Sequence, residues 1–226
     1  MLATAMDKYR RLVAADRILG PLGGNGVFLA AGSQWRRQRR MLAPLFTQAK
    51  VGLLLPHFIA AASALADRIA SSPRANLSLA FQEVTLEAVL RALFSLPDSA
   101  ERARITAMVR SYLAGPGRPN VLDAYARTTE SFAFALRSRR RFQKAWSETI
   151  DAIVAARRTS QAAGSDLLAL LLSVRDGETG ESLSEAEVRD QCSTMIVAGY
   201  ETTARDRKST RLNSSHSGES RMPSSA

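Results

Sequence analysis

The chain has a single cysteine in 226 residues, few aromatics (6%) and no run of 18 or more apolar residues. Each shortage excludes something. A lone Cys192 rules out an internal disulfide framework. Without a long apolar run, no transmembrane helix is expected. Met1 to Arg11 is mixed and helix-like, without the apolar stretch of a signal peptide, so a cytoplasmic product is expected. The hydrophobic share is still 46%, mostly Ala and Leu, which is core material of helical character. We find no strand pattern and no internal repeat, and the predicted fold class is all-α.

Basic residues outnumber acidic ones, 31 to 21, for a net charge of +10. Such a balance raises nucleic acid as a partner. The arginines, however, are dispersed through helical stretches, with no aromatic interleaving and no zinc, RRM or helix-turn-helix spacing. No nucleic-acid partner is expected.

Helices are predicted over Met1 to Leu19, from about Trp35 to near Pro44, and over a third segment marked by Leu53, Phe58, Leu65 and Ile69. A fourth runs from near Asn76 or Ser78 to Pro97, a fifth from about Ser99 to Leu113, and a long basic one from about Thr129 to Arg158. Asp166 to Arg175 and Leu183 to Ala204 complete the set. Gly20 to Gly26, Gly115 to Pro119 and Asp176 to Gly180 hold the breakers expected of loops. After Ala204 the chain turns Ser/Arg-rich and contains no Val, Ile, Phe, Tyr or Trp, so residues 205–226 are expected to be disordered. This tail resembles a translated sequencing adapter and is expected to be non-native, which leaves 1–204 as the folded unit.

The last predicted helix opens on Ser184 with Glu187 three residues on, a capping box. Val188, Cys192, Met195, Gly199 and Thr202 then repeat at steps of four and three along one face. A glycine there costs about 1 kcal/mol against alanine, and the paired Thr202 and Thr203 loosen the ladder. Ala198-Gly199-Tyr200-Glu201-Thr202-Thr203 therefore describes a helix that lets something flat approach its backbone beside proton-carrying groups. A second segment stands far upstream, Gly32-Ser33-Gln34-Trp35-Arg36-Arg37-Gln38-Arg39-Arg40-Met41-Leu42-Ala43-Pro44-Leu45-Phe46. Trp35 and Arg39, four apart, stack an indole N–H and a guanidinium on one face, a donor pair suited to a carboxylate.

Together and in this order, the two motifs resemble the cytochrome P-450 haem-thiolate monooxygenases, over roughly residues 20 to 204. The resemblance implies the N-terminal, mainly helical part of that fold. It implies haem b as cofactor, electrons from NAD(P)H through an acidic redox protein or reductase, O2, and an apolar organic substrate. Trp35 and Arg39 would contact a haem propionate, and Ala198 and Gly199 would let oxygen and substrate sit against the helix. Thr202 would position water and oxygen, with Glu201 relaying protons. Gly24-Asn25-Gly26-Val27-Phe28 resembles the family's loop before the Trp helix, making Phe28, with Met195, a substrate-binding candidate. Tyr200 is assigned to the side away from the iron.

Arg36, Arg37 and Arg40 are either a solvated face or a docking surface for the redox partner. Arg137 to Arg141 reads as a solvated face. The family's Glu-x-x-Arg pair and its haem-binding Cys loop would follow the Thr helix, and neither occurs after Thr202 in this sequence. Cys192 precedes Gly199 by two turns and reads as a small buried hydrophobe, so no metal ligand is expected here. The chain by itself is expected to be catalytically inactive, and the alternative function is a non-catalytic helical binding or scaffolding module.

Overall fold

A computed structural model describes residues 13–71, 77–95, 100–119, 123, 133–159 and 166–216, with backbone alone at 13, 77–79, 133–135 and 201–216. The described elements are α1 (Val13–Gly23), α2 (Gly32–Leu42), a 3-10 turn (Ala43–Phe46), α3 (Gln48–Ser71), α4 (Leu77–Phe94), α5 (Ala100–Ala114), α6 (Ala133–Thr159), α7 (Leu167–Ser173) and α8 (Glu185–His216). Beyond an isolated bridge between Arg175 and Ser182, no strand pairing occurs among the described residues. The fold is all-α, as the composition predicts.

The central element is α8, which packs on α1, α4, α6 and α7. Its capping box forms as the sequence predicts: the Ser184 N–H donates to Glu187 Oε2 (2.8 Å) and the Glu187 N–H to Ser184 Oγ (3.2 Å). Val188, Cys192, Ile196 and Tyr200 recur every fourth residue and are all buried. They meet Leu86, Leu90 and Leu93 of α4 in one core with Trp146 and Ile150 of α6. Burying side chains of this size contributes about 1.5–3 kcal/mol each. The Trp146 indole N–H also donates to Ser193 Oγ (2.9 Å), satisfying a buried donor.

Two expectations are corrected. First, α1 runs on through Gly20 and Pro21 to Gly23, where the sequence predicts a loop. An internal proline costs about 3 kcal/mol, but the turn it distorts places Leu22 at zero exposure in the core. Residues 1–12 of the predicted first helix lie outside the described residues. Second, α8 continues past Ala204 to His216. No glycine or proline occurs between Ala204 and His216 to stop it. The rest of the tail, 217–226, lies outside the described residues. Among the described residues one helix, α3, is long and apolar enough to cross a membrane, by length and composition only.

Helix α3 is apolar on two sides. Leu54, Ala61 and Leu65 are buried, and α3 packs along α4. Val51, Leu53, Leu55 and Ile59 stay exposed, as does Phe46 just before them. An apolar face of this kind marks a surface made to be covered.

Candidate functional site

Helix α2 splits its arginines by face. Arg40 makes a two-pronged pair with Asp176, Nε to Oδ1 and Nη2 to Oδ2, each at 2.9 Å, and reaches Glu178 (2.9 Å). Arg37 pairs with Glu187 in the first turn of α8 and lies 3.6 Å from Asp176. The two therefore tie α2 to the turn that launches α8, and their choice between solvated face and partner surface resolves to intramolecular packing. Arg139 is corrected in the same way. Expected on a solvated face, it is 3% exposed and ion-paired with the buried Asp123.

The Asp176 carboxylate is fully covered. The Arg40 hydrogen bonds, and then the Glu178 backbone N–H, hold its pKa below the ordinary carboxylate value. A depressed folded pKa stabilises the native state above the unfolded pKa, and this stability is lost as pH falls through the folded value. Asp176→Asn is thus expected to lower stability at neutral pH and to flatten its acid dependence below about pH 4, read by urea unfolding at stepped pH. An unchanged acid limb would remove Asp176 from the account.

Trp35 and Arg39 stand on the other side of α2. Trp35 is half-buried and Arg39 exposed. Among the described residues, neither the indole N–H nor the Arg39 guanidinium has a hydrogen-bond or ion-pair partner. Two donors of complementary reach, four residues apart and not spent on the protein, fit a carboxylate-bearing ligand. That is the fit a haem propionate requires of this helix.

The loop Gly24–Phe28 is fastened to the first half of α8. The Asn25 N–H donates to Asp190 Oδ2 (2.8 Å) and the Val27 N–H to Gln191 Oε1 (3.0 Å). Thr194 Oγ donates to the Gly23 carbonyl (3.0 Å). Such closeness needs glycine: a Cβ on Gly26 would stand 2.1 Å from Thr194 Oγ1 and 2.6 Å from the Asp190 carbonyl oxygen. Phe28, the substrate-binding candidate, projects from this loop at 52% exposure.

On α8, Ala198 is exposed and Met195 is partly buried at the edge of the core. Ala198 lies eleven residues beyond Glu187, about 16 Å along the helix, so α2 anchors at one end of the motif helix and Ala198 stands well along it. Gly199 has a packing reason for its size: a Cβ there would meet Val89 Cγ2 of α4 at 2.5 Å. The glycine expected to admit a ligand thus admits a neighbouring helix. Tyr200 is buried and faces the core. The backbone at Glu201 and Thr202 is helical, and their side chains lie outside the described residues.

Cys192 is at zero exposure, and burial pushes its thiol up to about 12. It packs as a core residue. Among the described residues no three His, Cys, Asp or Glu side chains gather as a metal ion would need. A cavity of about 930 Å³ lies between α1, α5 and α8, lined by Ile18, Leu19, Leu113, Ala114 and Tyr200 among others. Neither Phe28 nor Met195 borders it. Sequence reasoning missed this cavity, because its walls are ordinary helix residues that only the packing of α5 brings together.

The family model of cytochrome P450 matches residues 4–206. A putative cytochrome P450 137 of Mycobacterium tuberculosis is 28% identical over 196 residues, covering 80% of this chain and 38% of that protein. A putative cytochrome P450 135B1 of Mycobacterium bovis is 30% identical over 203 residues, covering 84% and 40%. The crystal structure of the cytochrome P450DA haem domain superposes with a TM-score of 0.72 at 22% identity, over 95% of this chain and 49% of that one. The chain spans about two-fifths of the length of these curated relatives. With a family model matched along nearly its whole helical extent, the chain belongs to the cytochrome P450 family, whose members are haem monooxygenases.

Proposed function

We propose that this chain is the N-terminal part of a haem b monooxygenase that inserts one oxygen atom from O2 into an apolar organic substrate. Its electrons come from NAD(P)H through an acidic redox protein or reductase. The observation that carries the reading is the division of labour on α2, with Arg37 and Arg40 spent on the protein and Trp35 and Arg39 left as uncommitted donors. Trp35 and Arg39 hold a haem propionate. Haem, where bound, would supply the oxygen-activating chemistry, and Cys192, buried in the core, would not ligate it. Thr202 would hold a water, and Glu201 would deliver protons to it. Ala198 keeps that side narrow enough for a flat ligand, while Phe28 and Met195 border the substrate.

The exposed apolar face of α3 supports the same reading, since a face of this kind is made to be covered. The 226-residue chain alone is then inactive and prone to aggregate. The matched region, which ends at residue 206, supports a native unit of 1–204 followed by a foreign tail.

The test is the protein extended to full length. It should give the Soret band of a thiolate-ligated haem in its reduced carbon monoxide complex. Thr202→Ala should keep that band and divert about 99 electron pairs in every hundred from product to peroxide or water, a hundredfold loss being the low end for a misplaced acid–base group. Unchanged coupling would remove Thr202 from the site, and absence of the band would remove the haem-thiolate reading.

A further inference from the structure

The residues just before Phe28 are held by two helices at once. Besides the bonds to α8, Gln38 of α2 donates from Nε2 to the Asn25 carbonyl (3.1 Å), and Asn25 Nδ2 donates to Gln34 Oε1 (3.1 Å). Gln38 and Gln191 are both at zero exposure. Each spends one end of its amide on the loop: Gln38 gives a donor to Asn25, and Gln191 gives an acceptor to Val27. The other ends, Gln38 Oε1 and Gln191 Nε2, are buried without a hydrogen-bond partner among the described residues. An orphaned buried amide atom is costly. An apolar side chain would fill the space at lower cost if packing were the only demand. Loop fixation is therefore what these two amides supply.

We propose that Gln191, with Gln38, is a positioning residue for the substrate end of the site: it fixes the backbone at Val27 and so sets where the Phe28 ring stands. The proposal rests on the reading that Phe28 borders the substrate. Two features make Gln191 suited to the task. It lies on the same helix as Ala198 and Met195, so the loop is registered against the element that carries the chemistry. It also binds the residue adjacent to Phe28 through the backbone N–H of Val27. The turn is closed on the far side by the Leu29 and Ala30 N–H groups donating to the Gly26 carbonyl (2.9 and 2.8 Å), so Phe28 sits between two pinned ends.

Two measurements test this, on Gln191→Leu and on Gln191→Glu, whose carboxyl oxygen still accepts from Val27. The first is amide hydrogen exchange of Val27. Gln191→Leu should speed it by about tenfold or more, the scale of one lost hydrogen bond, and Gln191→Glu should stay near the parent. Gln38→Met, which removes the donor to the Asn25 carbonyl, should loosen the same loop and also speed Val27 exchange, and serves if Gln191→Leu fails to fold. The second measurement uses the haem-loaded full-length protein with imidazole and 4-phenylimidazole as probes. Gln191→Leu should shrink the preference for the aryl compound, and should change nothing further in a Phe28→Ala background. Unchanged Val27 exchange would overturn the proposal, and so would additive effects of Gln191→Leu and Phe28→Ala. A protein that takes up no haem would sink the proposed function while the exchange measurement still decides the role of Gln191 in the loop.

Discussion

Replacing Gly26 by alanine is expected to release the Gly24–Phe28 loop from α8 at a cost of about 3 kcal/mol, the sum of its hydrogen bonds at about 1 kcal/mol each. The added Cβ would lie 2.1 Å from Thr194 Oγ1, which could rotate away, but also 2.6 Å from the Asp190 carbonyl oxygen, which belongs to the helix ladder and cannot. The loop must lift, and with it go the bonds from Asn25 to Asp190, from Val27 to Gln191 and from Thr194 to Gly23. Gly20→Ala is the matched control. A Cβ there meets nothing within 4 Å inside α1, so that change should be neutral or stabilising by about 0.5–1 kcal/mol. Equal urea midpoints for the two variants would contradict the packing described for the loop.

The second large effect is expected at the Arg139–Asp123 pair. Both side chains are nearly sealed from solvent, and the guanidinium meets both carboxylate oxygens while its Nε donates to the Pro116 carbonyl (2.7 Å). Asp123→Ala leaves a buried arginine without its counter-ion, which costs about 3–5 kcal/mol. Next to the pair, burial pushes the Tyr112 phenol up to about 12, and its hydroxyl donates to the Ile18 carbonyl, linking α5 to α1. The loss at Asp123 should therefore spread to the α1–α5–α6 corner. Chemical denaturation reads it directly, with the exposed Arg141→Ala as control, expected within about 0.5 kcal/mol of the parent. Replacing both partners by apolar residues (Arg139→Met with Asp123→Leu) should restore most of the stability. A loss under about 1 kcal/mol for Asp123→Ala would show the pair to be solvated.

Local patterns were legible in the sequence and long-range pairings were not. The Ser184–Glu187 box, the stop of α2 before Pro44 and the helices on either side of Gly115–Pro119 follow from capping and breaker chemistry within a few residues. Which arginine of a basic run is buried depends on an acid far away in sequence. Arg40 meets Asp176 across 136 residues and Arg37 meets Glu187 across 150, and no local spacing announces either partner. The motif glycine shows the same limit. Its size was readable, but the neighbour that needs it, Val89, comes from another helix. The Gln191–Val27 bond also lay beyond the sequence, since a glutamine within a helix carries no signal until the loop is seen against it. Pro21 misled in the opposite direction, because burial of Leu22 outweighs a local preference against helix.

The central claim is that the Trp35–Arg39 face of α2 holds the cofactor's carboxylate. The direct measurement is the rate at which the full-length protein loses haem to an excess of apo-globin, for Arg39→Ala against Arg36→Ala on the same exposed helix. Loss of one charge-assisted hydrogen bond is worth about 1.5–3 kcal/mol, so Arg39→Ala should release haem at least about tenfold faster, while Arg36→Ala stays at the parent rate. Equal rates for the two variants would contradict the claim.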